Sequence, residues 1–406
     1  MKNKYNVIVI GGGASGFFTA IRIKEEYPNL SVVILERGKD VLSKVKISGG
    51  GRCNVTHAEF IPNELTKNYP RGEKELLGPF HQFMTGDMIG WFETNGVALK
   101  TEEDGRMFPV TDDSQTIIDC FIEKCSELAI EIKTLESVQK IAQNQNSWQI
   151  ETKNNFFCCQ QLVIASGSNP KIWNFLQENL NQPIVEPVPS LFTFNTKEKL
   201  IEGLAGISTH VNVKVLDTDL EENGPLLITH WGFSGPSILR LSAWGAKVLA
   251  AKNYQFRIEI NWTNLSEDEV LEELMNYKNE NPKQQILTNN LFDIPKRLWR
   301  KLMESTSVDL TKKWADLSKK ELLLIQRQLT RNVFHIQGKS TFKEEFVTAG
   351  GIDLKTVNFK TMESKLHQNL FYVGETLNID AITGGFNFQN AWTTAYIAAK
   401  EIASRF

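Results

Sequence analysis

Residues 7–10, Val-Ile-Val-Ile, form a short apolar run closed by glycines. A run of this kind suits a strand buried on both faces of a parallel sheet. Residues 5–36 read as strand, glycine turn, helix and second strand. Over 111–128 the apolar positions Ile117, Ile118, Phe121, Ile122, Cys125 and Leu128 fall on one helical face. Strands are expected at 130–133, 148–152 and 156–159. A fourth, continuously apolar one at 162–165 ends at Ser166-Gly167. The Gly-, Asn- and Ser-rich stretch 39–70 reads as ordered loops.

The pattern then changes. Pro183, Pro187 and Pro189 favour extended backbone and mark a boundary. Beyond them, apolar and polar residues alternate at 210–216 and 254–260, as in half-buried antiparallel strands. From Ser266 to Asn332 the pattern is helical and polar, opening on Ser266-Glu-Asp-Glu, an N-cap with acid in the first turn. Residues 343–406 return to the strand–glycine–helix style of the start. The expected fold class is α/β, a Rossmann-like domain interrupted by an inserted, mostly β domain with a helical part. The first domain would take 1–187 and 343–406. The insert would take 188–342, with its β unit at 188–264 and its helical part at 265–332.

Composition adds little to that picture. The 406 residues carry a net charge of -3, so nothing argues for a polyanionic partner, and nucleic acid is not expected. The basic stretch Lys296-Arg-Leu-Trp-Arg-Lys301 is short and flanked by Asp293 and Glu304, which reads as a solvated helix face. No apolar run reaches the ~18 residues needed to cross a bilayer, and Met1 leads into a strand without secretory-signal features. A cytoplasmic location is expected, with no membrane partner. Five cysteines without a C-x-x-C argue against a disulfide framework or a structural zinc site, and no metal is expected.

Gly11-Gly12-Gly13-Ala14-Ser15-Gly16 is a G-x-G-x-x-G lying directly after a strand and opening a helix. In such a turn Gly11 allows the tight bend, Gly13 lets backbone approach a pyrophosphate, and Gly16 lets helix and strand close up. The helix N-terminus offers free N–H groups to phosphate. Glu36 ends the second strand where a carboxylate accepts the adenosine ribose hydroxyls, with Arg37 next to it. Strand, turn, helix, strand and acid in register point to a dinucleotide, and leave FAD and NAD undistinguished.

At Ile47-Ser48-Gly49-Gly50-Gly51-Arg52-Cys53-Asn54 the chain resembles a family of bacterial flavoproteins described as NAD(P)/FAD-dependent oxidoreductases, with aminoacetone oxidase-like and bile-acid Δ4,6-reductase-like members. Further segments match in order: Gly105 to Pro109, Thr229 to Pro236, Thr348 to Ile352, Thr361 to Lys365, and Leu370 to Glu375 running on to Trp392. The resemblance implies FAD and an interrupted flavin domain. It implies that Val138, Ala165, Ser166 and Gly167 line the adenine side, and that Gly374-Glu375 replaces the usual Gly-Asp near the ribityl chain or phosphates. Asn378, Phe386 and Ser166 depart from the family's more common Asp, Tyr and Thr.

Glycines at 49–51 would let backbone lie against a planar ring, with Ser48, Arg52 and Asn54 beside it and Lys44 in reach of phosphate. Gly384-Gly385-Phe386-Asn387 opens the last helix, whose N–H groups would meet a flavin edge that becomes negative on reduction. Cys53 has no partner for dithiol exchange and reads as packing. His230, in Thr229-His-Trp-Gly, is the candidate general base, against an equal reading as a structural histidine. The function expected is hydride transfer between a small organic substrate and FAD, as an amine oxidase using O2 or a reductase using NAD(P)H as a transient reductant. The alternative is a flavin-binding interaction or redox-sensing protein, RNA-linked and without turnover.

Overall fold

The computed structural model describes residues 3–144, 147–341 and 347–406. The chain forms two compact units, Met1–Val188 with Lys343–Phe406, and Pro189–Phe342. The expected boundary between 342 and 343 lies outside the described residues.

The first unit is built on a parallel sheet. Strand β1 (Lys4–Ile10) lies at its centre, next to β2 (Val32–Leu35) on one side and Phe156–Ile164 on the other. Glu131–Lys133 extends the sheet beyond β2, and Leu370–Tyr372 extends it beyond Phe156–Ile164, both parallel. Val7, Ile8 and Val9 are fully buried, as a strand covered on both faces must be. The helix α1 (Ala14–Glu26) and the last helix, Phe386–Ala403, pack together through Phe18 and Trp392, whose rings meet edge to face at 5.7 Å. The aromatic residues near the C-terminus are therefore packing residues.

Two expectations change here. The strands expected at 156–159 and 162–165 are one strand of nine residues, Phe156–Ile164. The polar pair between them does not break it, because Gln160 accepts a hydrogen bond from Asn6 on β1 at 3.0 Å. The stretch expected as loops contains α2 (Ser43–Gly51) and the helix Pro62–Thr66. In α2 the helical backbone fails at Ser48, and Gly49 and Gly50 turn left-handed, so its glycines do act as a loop.

Among the described residues the second unit is an antiparallel sheet of seven strands with helices. Ser208–Val215 pairs with Glu221–Ile228 and with Gln255–Asn261, which pairs in turn with Asn332–Gln337. Val211, Val213, Ile258 and Ile260 form one buried face, as their alternation requires. Ser266 caps the helix Glu267–Glu280 in a reciprocal capping box with Glu269. Among the described residues no helix is long and apolar enough to cross a membrane.

Candidate functional site

The glycine turn after β1 is shaped by contacts that a side chain would prevent. A Cβ on Gly16 would lie 2.0 Å from the Gly11 carbonyl oxygen, and one on Gly11, at φ 116, would lie 2.3 Å from that of Ala165. Gly13 differs: among the described residues no atom lies within 4 Å of where its Cβ would stand. Open space at the N-cap of a 13-residue helix is the setting for a phosphate, with unpaired N–H groups and the positive end of the helix dipole facing it. Ala14 and Ser15 form the first helical positions.

Glu36 is aimed by its backbone surroundings. Its carboxylate accepts from Gly12 N at 2.8 Å and from Gly38 N at 2.7 Å. Leu135 and Glu136 donate their amides to the carbonyls of Gly38 and Glu36, which brings the strand starting at Val138 alongside. Arg37 is exposed beside them.

Ala165, Ser166 and Gly167 follow the strand Phe156–Ile164, and Gly374-Glu375 follows Leu370–Tyr372. Two adjacent parallel strands thus deliver these residues to one edge. Gly374, at φ 64, sits over Ser15, whose Oγ would be 2.6 Å from a Cβ. Lys44 Nζ lies 2.5 Å from Glu375 Oε2. The other carboxylate oxygen, Oε1, is buried with no partner, and so is Ser166 Oγ. Asn378 Oδ1 and Asn390 Oδ1 are in the same condition. Buried polar atoms are otherwise almost always satisfied. Unmet groups beside an open glycine turn fit a ligand rich in hydroxyls and phosphate oxygens, and FAD is such a ligand.

The 48–54 segment supplies an open backbone surface. Gly50 and Gly51 have φ of 70 and 88, and among the described residues nothing lies within 4 Å of a Cβ on either. Gly49, by contrast, backs onto Phe108. Arg52 is folded back: its guanidinium lies 3.9 Å from the Phe108 ring centroid and 2.6 Å from Glu102. The hydrogen bond it donates to Glu102 raises its pKa above the ordinary arginine value. Cys53 is fully buried, and burial pushes its thiol up to about 12, so it stays neutral and packs.

Asn54, expected beside the cofactor, braces the backbone around it. With its amide turned to the orientation that suits these neighbours, its nitrogen donates to the carbonyls of Thr56 at 3.0 Å and Met107 at 3.3 Å, and its oxygen accepts from Gly385 N at 3.0 Å. Asn387 closes the turn from the other side through Ala381 N at 3.0 Å and Ala381 O at 3.2 Å. Between them Gly384 and Gly385 hold φ of 132 and 92. Phe386 stacks on His57 at 4.4 Å, and its carbonyl accepts from Tyr69 Oη at 2.6 Å. His57 Nδ1 lies 3.0 Å from the Gly384 carbonyl.

Sequence reasoning missed His57, Tyr69 and the ion pair of Arg71 with the buried Asp380. All three fasten the 380–387 turn from more than 300 residues away, and no local pattern announces such contacts. The residues expected at a cofactor from 11 to 54, from 138 to 167 and from 374 to 387 all belong to the first unit. His230 belongs to the second. It is exposed on the turn after Glu221–Ile228 and lines a cleft of that unit with a volume of about 760 Å³. All five cysteines are free, and among the described residues no His, Cys, Asp or Glu cluster suits a metal ion.

The model of the HI0933-like protein Rossmann domain family matches residues 5–401. A ribosomal RNA dihydrouridine synthase of Haemophilus influenzae is 28% identical over 409 residues, 98% of each chain. A 3-dehydro-bile acid delta(4,6)-reductase of Clostridium scindens is 24% identical over 411 residues, again 98% of each. Among solved structures, a 3-ketosteroid-delta4-(5alpha)-dehydrogenase of Rhodococcus jostii RHA1 aligns over 99% of this chain and 97% of its own. Its TM-score is 0.53 at 11% identity, a likeness of fold. The expectation that nucleic acid is no partner finds no support in a relative named for ribosomal RNA.

Proposed function

The chain belongs to the HI0933-like Rossmann-domain family and is an FAD-dependent oxidoreductase, and from that premise we propose that it reduces a carbon–carbon double bond conjugated to a carbonyl group, in a uracil ring of ribosomal RNA. The open cradle at Gly13, Ser166 and Glu375 carries the cofactor part of this reading. The Haemophilus influenzae relative, which matches along nearly the whole chain, supports the substrate part.

FAD, when bound, supplies two-electron hydride exchange, with NAD(P)H as the reductant. The chain's own residues do the rest. The glycine turn and helix α1 hold the pyrophosphate, Glu36 holds the ribose, and Lys44 with Glu375 frames the phosphate and ribityl region. Gly50 and Gly51 offer backbone to a ring face, and the N–H groups opening Phe386–Ala403 favour negative charge near them. Arg52, engaged with Glu102, keeps the neighbouring loop in place. Saturating a conjugated double bond takes a hydride at one carbon and a proton at the next, and His230 is the candidate proton donor.

A steroid-type enone is the second reading, because the bile-acid reductase relative also matches along nearly its full length. Both names describe reduction of a double bond conjugated to a carbonyl, so one chemistry covers both. Mass spectrometry of nucleosides from ribosomal RNA decides between them. Deleting the gene should remove a dihydrouridine, the intact gene should restore it, and a His230→Gln version with normal flavin content should restore it poorly. Unchanged dihydrouridine in the deletion strain overturns the RNA reading. Reoxidation of the reduced protein by a 3-keto-4,6-diene would then take its place.

A further inference from the structure

The basic stretch 296–301 is more than a solvated helix face. The helix Lys296–Glu304 buries Leu298, Trp299, Leu302 and Met303 in the core of the second unit. Its other face carries Lys296, Arg297 and Arg300, all exposed. This face is arranged against the helix's own stability. No side chain caps its N-terminus and no acid lies in its first turn, so Lys296 and Arg297 meet the positive end of the dipole. Lys296 with Arg300, and Arg297 with Lys301, are like charges four residues apart, and such pairs repel across one turn. The helices Glu267–Glu280 and Lys319–Thr330 of the same unit each have a capping box and an acid in the first turn.

The fold adds to this charge. The short turn Lys199–Ile201 packs against the helix, and Arg297 donates to the Gly203 carbonyl. Lys197 lines one cleft with Arg297, and both Lys197 and Lys199 are exposed. Elsewhere in the unit cations are matched by acids: Arg257 by Asp217 at 3.3 Å, Lys312 by Glu321 at 2.8 Å, Arg331 by Glu267 at 3.2 Å. Among the described residues Lys197, Lys199, Lys296, Arg297 and Arg300 have no acidic partner. Of the acids beside them, Glu198 is bound to His335 at 3.1 Å and Glu304 lies 4.0 Å from Lys301, which leaves Glu202 and Asp293 as the opposing charges. A local rule broken without compensation points to function. The apolar side of the helix is used up in the core, so nothing is left to enter a lipid bilayer. Exposed cations on a packed scaffold complement the charge of phosphate oxygens, whatever bases those phosphates join.

We propose that this face docks the sugar–phosphate backbone of double-helical RNA, with Lys296 and Arg300 on phosphates and Lys197 and Lys199 extending the contact. The choice of RNA over another polyanion rests on the ribosomal RNA reading above. The contact sets where the protein sits on the RNA and carries no sequence preference.

The test uses FAD-loaded protein and fluorescence anisotropy of a labelled RNA hairpin, measured between about 50 and 200 mM salt. Hairpins of different sequence should bind alike. Lys296→Gln combined with Arg300→Gln should weaken binding and lower the slope of log K against log salt by about 2, one for each contact. The same variant should melt at the wild-type temperature or above it, because it removes a like-charge pair and a cation at the positive end of the dipole. Lys296→Arg combined with Arg300→Lys should bind as wild type does. Lys140→Gln combined with Lys153→Gln removes two exposed charges from the first unit and should leave the slope unchanged. Four results overturn the proposal: an unchanged slope in the helix variant, an equal fall in the Lys140 and Lys153 variant, a lowered melting temperature in the helix variant, or no binding by wild type at low salt. An acidic protein as the true occupant would give the last of these. The nucleoside analysis answers separately. Docking of the expected pattern without any effect of the deletion on dihydrouridine keeps the face and removes the catalytic reading, and the reverse pair of results keeps the reading and removes the face.

Discussion

Single residues divide by how locally their task is written. The tight turn at Gly11 and Gly16 and the place of Glu36 beside it were legible because the fingerprint is a short run plus the end of one neighbouring strand. Gly13→Val puts a branched side chain into the open space at the N-cap of α1, so the purified protein should hold no FAD. Glu36→Ala should only weaken retention, since charge-assisted hydrogen bonds are worth ~1.5–3 kcal/mol each. Flavin absorbance after desalting checks both. The partners of Lys44 and Arg52 were not legible, because Glu375 and Glu102 come beside them only through the fold. The cysteines give a pH prediction. Burial raises Cys53 and Cys125 to about 12 and Cys120 to about 11 from an ordinary value of 9.0. A raised thiol pKa means that the folded state keeps a proton the unfolded chain releases. The stability it contributes is complete below pH 9 and is lost as pH rises towards 12. Cys53→Ala should flatten the alkaline fall of the urea midpoint without changing the acid side.

At the scale of elements, apolar runs were legible and polar interruptions misled. Gln160-Gln161 looked like the end of a strand, but Asn6 satisfies Gln160 and the strand continues. The short helical stretch of α2 was hidden because glycine and serine disfavour helix in any sequence average. The glycine turns at 49–51 and 384–385 were visible as composition, while their difference in kind was not. Gly50 faces open space, whereas a Cβ on Gly385 would lie 2.6 Å from Thr56 backbone. Gly385→Ala should therefore destabilise the protein even without flavin, by about 1–3 kcal/mol for a strained backbone. Gly50→Ala should leave most of the flavin-free stability in place and lose flavin instead. Thermal melts of flavin-free protein, set beside flavin content, separate the two.

For the whole molecule, the change of style near residue 188 was readable because proline and alternating strands replaced parallel-strand runs. The path of the sheet in the second unit was not, since strand order depends on pairings such as Gln255–Asn261 with Asn332–Gln337 across a helical stretch. Each unit has its own apolar cluster, and among the described residues the two clusters share no buried residue. Calorimetry should resolve two unfolding transitions. FAD at 100 times its Kd should stabilise only the one belonging to the first unit, by about 2.7 kcal/mol. A single transition that moves as a whole with FAD would show the two cores to be coupled.

The first unit's sheet joins Phe156–Ile164 to Leu370–Tyr372, and the cradle needs Glu375 and the 384–387 turn as well. On a ribosome adding ~5–20 residues per second, those partners emerge roughly 10–40 s after Ile164. During that interval the N-terminal glycine turn waits for these partners, while the strands of the second unit, Thr193 to Ser340, are all made before Leu370 and can pair first. Cofactor loading is thus deferred until the 370–387 segment is made. A nascent chain arrested before Leu370 should carry no flavin, and it leaves the strand edge at Leu162–Ile164 unpaired, since Trp148–Glu151 covers only Phe156–Cys159. The split domain ties acquisition of the redox group to passage of the whole inserted unit through the ribosome.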